Sequence, residues 1–454
     1  MALRGFTVGL NGATLRDGVR FRNIGCNYRW GIARSYGQTN PTGFIATPAA
    51  ERDAGLDYLA AIGVKAIRTA AYPIYPNQWT AAVLNGKTWS TVTNADIDAY
   101  LSTYVDPFVA AARSRGQIVL LVAVPRLLTP SDLTGETGRA LFTPGSNARG
   151  LVQRVTERMV TRYLAEEAVG GYVGFNEINN YANQTNMSWA AVNTAYGTQS
   201  SYPTATTTYS QQEMRDMLAW WDGIVRAIDN QRITLTGHGT CRYAKPGGAG
   251  EIPFPLAEYY RELVLDNPTS AAQMHWYGNV PYCSPNDRGL DSFLAGCRHW
   301  PAIYGKPFVL GEWGDQPVHI GSITATNGMA TITVSGADAL CCEPGDQVQI
   351  IDAGAWSGLY TLSTLSASRQ IATAPIDNAP GTPFSGTASA LYQASKFQRN
   401  LDSIINSGVD ISLLWNYDTD PAYPRGMSCD AAGPNAWQGP LIAAANARLA
   451  AMGY

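Results

Sequence analysis

In residues 171–180, GYVGFNEINN, a short apolar run ends abruptly in Asn176 and Glu177, and in residues 306–314, KPFVLGEWG, another ends in Glu312. The apolar stretches suit a packed, pleated strand, whereas the polar residues that follow cannot be buried without stranding hydrogen-bonding groups. Each glutamate therefore stands where a strand leaves a core, half desolvated, in the setting that tunes a carboxyl for acid/base work. Two such carboxyls can divide the labour that cleavage of a glycosidic bond requires. One stays protonated to assist the leaving oxygen, and the other stays ionised to attack or stabilise the anomeric carbon. Arg68, closing the run VKAIRT, is a permanent cation able to hold a neighbouring carboxylate ionised, and Tyr277 of AQMHWY can donate a hydrogen bond to it. His275 lies two residues before Tyr277 in the same run, and Trp415, in GVDISLLWN, offers a flat floor for a sugar ring.

These residues are useful only if one scaffold gathers them. Eight apolar runs, at 21–27, 64–69, 117–124, 171–175, 232–237, 272–277, 307–312 and 408–416, alternate with helical patterns. That rhythm predicts an α/β protein, a (β/α)8 TIM barrel whose strand C-termini share one rim. Arg68, Asn176, Glu177, His275, Tyr277, Glu312 and Trp415 then surround a single cleft. Residues 6–25 carry the turn signals Asn11-Gly12 and Asp17-Gly18 and read as a hairpin that plugs the barrel base. The helix expected at 94–115 contains Pro107, which should kink it. Residues 316–390 break the period: alternating strands around an Asn327-Gly328 turn predict a small all-β domain inserted after strand seven. The barrel domain then comprises 1–315 and 391–454. The insertion would stand beside the cleft, where Trp356 or Tyr360 would bind substrate or the module would act as a spacer or dock.

The chain has 454 residues, 45% hydrophobic and 15% charged, with a formal net charge of -3. There is no basic footprint for nucleic acid and no polybasic membrane patch. Twelve Trp and 24 Tyr fit a partner with flat C–H faces, such as a polysaccharide or oligosaccharide. The seven cysteines form no framework, and Cys283 with Cys297 is one conceivable pair. No cofactor is expected. His238 and Cys241 are too few ligands for a metal, and the strand ends carry no His-x-His.

Taken together, the opening hairpin before FRNIGCNY, Arg68, Asn176-Glu177, the His-x-Tyr of His275 and Tyr277, Glu312 and Trp415 resemble glycoside hydrolase clan A, and most of all family five. The resemblance covers nearly the whole chain outside the insertion. It implies that Glu177 is the acid/base and Glu312 the nucleophile of a retaining mechanism, and that Asn176 binds the sugar 2-hydroxyl. Arg68 and Tyr277 would orient Glu312, His275 would line the site, and Trp415 would stack on the attacked sugar. Trp313, directly after Glu312, and Trp30, Trp79 and Trp189 from loops are further substrate-binding candidates. Two positions depart from the pattern: Val124-Pro125-Arg126 lacks the His often found after strand three, and Ile178 replaces the Pro that commonly follows Asn-Glu. The insertion, with Pro344-Gly345-Asp346-Gln347-Val348, resembles β-modules of bacteriophage tail and virion proteins. With no signal-peptide pattern at the N-terminus, this points to an extracellular or virion-associated protein that docks through the module. The competing reading is a sugar-binding barrel without turnover, an adhesin or tail component. Two opposed carboxylates with Arg68 and Tyr277 speak against it, because binding alone needs no such pair.

Overall fold

The computed structural model describes residues 5–34, 44–178, 209–239, 261–265, 267–277, 290–314, 318–335, 340, 342–368, 370–392, 394–417 and 436–454. Near-continuous runs of Val, Ile and Leu form strands buried on both faces, as Ile118–Val124 (IVLLVAV) illustrates with all its residues buried. Eight such strands are β1 (Asn23–Asn27), β2 (Ala66–Ala70), β3 (Ile118–Val124), β4 (Val169–Phe175), β5 (Ile233–Leu235), β6 (Ala272–Tyr277), β7 (Phe308–Gly314) and β8 (Ile411–Leu414). They pair in parallel in the order β5-β4-β3-β2-β1-β8-β7-β6. A parallel bridge between Leu235 and Ala271 brings β5 against β6, so the sheet closes on itself. The chain is a (β/α)8 barrel.

Helices Ala49–Ala61, Asn147–Tyr163, Gln211–Ile228, Leu290–Ile303, Ala394–Ser407 and Gln438–Ala451 are among those that cover the outside. Pro107 interrupts its helix differently from a simple kink. Asn94–Tyr100 runs into a wide π-turn, Leu101–Val105, and a new helix starts at Asp106 with Pro107 in its first turn, where the missing N–H costs nothing. No helix among the described residues is long and apolar enough to cross a membrane.

The base of the barrel is an apolar plug. Phe6 from the opening strand Phe6–Val8 and Phe21 just before β1 pack with ring centroids 4.8 Å apart. They join the inward residues Ile118, Leu120, Val122, Val173, Ile233, Val309, Ile411 and Leu413. Each phenylalanine buried there contributes about 2 to 3 kcal/mol of transfer free energy. The lower barrel is therefore closed by apolar packing, and the polar residues collect at the opposite rim.

Between β7 and the next barrel helix, the strands from Val318–Thr326 to Phe384–Tyr392 form a separate seven-stranded antiparallel sheet with its own core. Asn327 and Gly328, both at positive φ, make the tight turn of its first hairpin. Buried Asp346 accepts hydrogen bonds from the guanidinium of Arg399 and from Ser395 Oγ, which tie the sheet to helix Ala394–Ser407. Trp356 and Tyr360 do not present themselves to substrate. Both are buried in the module, with Trp356 Nε1 donating to Thr382 O and Tyr360 Oη to Trp356 O, each at 2.8 Å. Tyr360 points to the inner face of its strand and Trp356 packs beneath it from a short 3-10 turn, the ordinary result for a small sheet in need of a core.

Candidate active site

Inward-facing polar residues at the C-terminal ends of the barrel strands form one connected cluster. Asn27 ends β1 and lies in register with Arg68 of β2. Its amide nitrogen donates to the carbonyl of Gly311 at 3.0 Å, and its Oδ1 accepts from Arg68 Nη1 at 2.9 Å. Arg68 Nη1 also donates to Glu312 Oε1 at 2.7 Å, and Nη2 donates to Asn176 Oδ1 at 2.6 Å. The Arg68 and Glu312 side chains are 4% and 3% exposed. An ion pair so thoroughly desolvated needs further hydrogen bonds. Asn27 and Asn176 supply them to the two terminal nitrogens, while Arg68 Nε has no partner among the described residues. Fixing Asn176 Oδ1 on Arg68 leaves the NH2 of Asn176 as the end that can donate to a substrate hydroxyl.

A β-bulge aims Glu312 into the cleft. Met274 pairs with Leu310 but His275 pairs with Glu312, so Gly311 is an extra residue on β7. The same slip appears against β8, where Leu310 faces Ser412 and Trp313 faces Leu414. Val309 points into the barrel and Leu310 outward. The bulge resets this alternation, sending Glu312 inward and Trp313 outward. Trp313 is therefore no substrate platform: it is fully buried in the helix layer and stacked on Phe397 at 5.4 Å.

Glu177 reaches the cluster from a different geometry. It lies one residue beyond Asn176 with φ +52°, in the left-handed region that glutamate seldom occupies at a cost on the order of 1 kcal/mol. The next residue holds it there. Ile178 is completely buried, and its carbonyl accepts from the hydroxyl of Tyr209, whose ring stacks on Phe142. The Glu177 side chain is 31% exposed, in contrast to Glu312.

His275 joins the two glutamates. Its Nδ1 lies 3.1 Å from Glu177 Oε1 and 3.2 Å from Glu312 Oε2, and the ring is fully buried. Donor atoms of Glu177, His275 and Glu312 all lie within 4.8 Å of one another, a set that a transition-metal ion could reach. Arg68 already engages Glu312 Oε1, which favours a carboxylate paired with a cation side chain over one given wholly to a metal.

The structure thus brings together Arg68, Asn176, Glu177, His275 and Glu312. Tyr277 ends β6 opposite Gly314, but its side chain lies outside the described residues. Trp415 is half-buried beyond β8, and the guanidinium of Arg29 stands 5.7 Å from its ring and 4.2 Å from that of Trp30. Trp30 itself is nearly buried and has a face covered by Arg29. Trp79 is core, not a subsite: it is buried and stacked on Tyr72. Trp189, Cys241 and Cys283 lie outside the described residues. Cys297 is buried with Sγ 3.7 Å from Met274 Sδ. His238 is a core histidine whose Nδ1 meets Thr236 Oγ1 at 2.5 Å. Sequence reasoning missed Asn27, Arg29 and Gln273. The signal for Gln273 was its period-two spacing from His275 and Tyr277, and that for Asn27 was its place at the end of an apolar strand.

No known family profile matches the sequence, and no curated protein sequence matches it. Solved structures do. The chain is similar to the endo-1,4-β-mannanase of Rhizomucor miehei, with a TM-score of 0.56 and 11% identity over 98% of this chain and 99% of that one. A family 5 glycoside hydrolase, the mannosidase of Rhizomucor miehei, gives 0.54 at 11% identity, covering 99% and 98%. The endo-β-1,4-mannanase of Thermotoga petrophila gives 0.54 at 11%, covering 97% of this chain and 78% of that one. The fold is family 5-like. At such identity the likeness concerns the fold of the barrel, and the chemistry rests on the residues themselves.

Two expectations follow from the electrostatics. Arg68→Met should cost about 3 to 5 kcal/mol of stability by leaving Glu312 buried without its counter-charge, and Arg68→Met with Glu312→Gln should recover much of that. Denaturant unfolding checks both, and a double variant as unstable as the single one would refute the coupling. Burial pushes His238 down from 6.5 to about 3. A histidine held neutral in the fold but free to protonate when unfolded leaves stability intact above 6.5 and drains it as pH falls toward 3. The slope is about 1.4 kcal/mol per pH unit for one proton. Unfolding midpoints measured from neutral to mildly acid pH should lose that one-proton slope in His238→Gln.

Proposed function

We propose that the protein is a retaining glycoside hydrolase that cleaves β-glycosidic bonds of a polysaccharide or oligosaccharide. The observation that carries the reading is the pair of carboxylates: an oxygen of Glu177 lies within 4.8 Å of one of Glu312, across a shared histidine. Retaining enzymes hold their two carboxyls about 5 to 5.5 Å apart, whereas inverting enzymes leave about 6.5 to 9.5 Å for a water. The environments differ in the required direction. Glu312, buried and tied to Arg68, is the nucleophile that bonds to the anomeric carbon. Glu177, half-exposed at the rim, gives its proton to the departing oxygen. It then takes a proton from the water that attacks the same carbon and releases Glu312, so configuration is retained after two inversions. The NH2 of Asn176 donates to the sugar 2-hydroxyl, and Trp415 carries the ring face.

The substrate class favoured is β-mannan, because the barrel has the fold of enzymes described as endo-mannanases and a mannosidase. The inserted sheet, with Trp356 and Tyr360 spent on its own core, suits docking, such as to a virion or tail, better than sugar binding. The protein would then work outside the cell or on a virion. The alternative of a sugar-binding barrel without turnover gains nothing from a buried Arg68–Glu312 pair, which binding alone does not call for.

The test is release of reducing ends from mannans, β-glucans, xylans and bacterial exopolysaccharides. One of them should be cleaved, and Glu177→Ala and Glu312→Ala should each lower the rate by about three orders of magnitude or more. Proton NMR of the first product should show the β-anomer. A wild type inert on every glycan that still binds one, with Glu312→Ala binding it equally, would establish the recognition module instead.

A further inference from the structure

His275 has two ring nitrogens, and the structure gives each a different kind of neighbour. Nδ1 faces oxygens of Glu177 and Glu312 at 3.1 and 3.2 Å. Glu312, paired with Arg68, is a carboxylate that only accepts, so the Nδ1 facing it must carry a proton. A neutral ring then has a bare, accepting Nε2 in a fully buried place, where it needs a donor. Gln273, two residues earlier on β6 and also fully buried, puts its side-chain nitrogen 3.2 Å from that atom. An amide NH2 can only donate, which matches the bare nitrogen.

The sequence makes room for this contact. A Cβ on Gly311 would lie 2.1 Å from Gln273 Nε2, so the amide can rest on β7 only where that strand carries glycine. Gly311 is also the bulge residue that turns Glu312 toward His275. One glycine therefore serves the carboxylate and the amide together. Gln273 Oε1 has no hydrogen-bond partner among the described residues, so this amide meets its polar surroundings through the nitrogen that faces His275.

We infer that Gln273 is a positioning residue that fixes His275 as the neutral Nδ1–H tautomer, directing one N–H into the gap between Glu177 and Glu312. The consequence for turnover rests on the hydrolase reading. A single N–H shared by two carboxylates can lean toward whichever is charged: Glu312 before attack, Glu177 once the sugar is bonded to Glu312. A ring protonated on both nitrogens would instead be a fixed cation beside Glu177 and would oppose its service as an acid. A carboxylate in place of the amide would create that cation by accepting from Nε2–H.

The chain contains four histidines, so nitrogen-15 spectra of histidine-labelled protein are tractable, with His275 assigned by its loss in His275→Phe. The wild type should show a protonated Nδ1 and a bare Nε2 at neutral pH. Gln273→Glu should show both nitrogens protonated, and on the cleaved glycan its kcat should fall about ten- to a hundred-fold with KM changed less than about two-fold. A wild-type ring protonated on Nε2 alone, or on both nitrogens, overturns the inference, as does an unchanged ring in Gln273→Glu. The wild-type spectrum decides even where a variant fails to fold. It also decides where no glycan is cleaved, which would sink the hydrolase reading but not the tautomer.

Discussion

A guanidinium and a carboxylate buried together at the top of a barrel impose conditions on everything around them. Arg68 and Glu312 sit on strands that are not neighbours, with β1 and β8 between β2 and β7 in the closed sheet. Their pairing must span the barrel's interior, and the terminal nitrogens of the guanidinium must be met from the inward positions of other strands. Asn27 closes the gap on one side and Asn176 on the other. Desolvating such a pair is costly, so a packed apolar interior alone would be the more stable solution. The barrel instead confines its apolar interior to the base and concentrates its polar residues at one rim.

Backbone irregularity then distinguishes the two carboxylates. The bulge at Gly311 turns Glu312 inward into the buried network, while the left-handed Glu177, pinned by Ile178 and Tyr209, stays at the rim with part of its side chain in solvent. His275 touches both, backed by Gln273. Two glutamates of one residue type thus acquire different solvation and different partners, which is the condition for assigning them different work.

Much of this was legible because burial leaves a mark on sequence. A charged or amide side chain at the end of an apolar run has few structural excuses, and that logic found Arg68, Asn176, Glu177, His275 and Glu312. It failed where position along the strand does not determine facing. Trp313 is adjacent to Glu312, yet the inserted residue at Gly311 reverses the alternation and sends the indole into the helix layer. Trp79, Trp356 and Tyr360 read as sugar platforms, but aromatic rings are first of all the largest units from which cores are built. Asn27 and Gln273 escaped notice for the opposite reason. Gln273, an inward polar residue inside a buried strand, looks like an exception in a linear pattern, Asn27 ends a strand whose polar partners lie far along the chain, and only the closed barrel brings those partners into view.

The central claim is that Glu312 forms a bond to the sugar while Glu177 handles protons. The most direct measurement is covalent trapping with 2-deoxy-2-fluoro glycosyl fluorides of mannose and glucose, followed by intact-mass and peptide mass spectrometry. The account predicts one added fluorosugar, located on the peptide carrying Glu312 and absent from Glu312→Ala. A label on Glu177 instead, or hydrolysis of these fluorides with inversion and no trapped species, would contradict it.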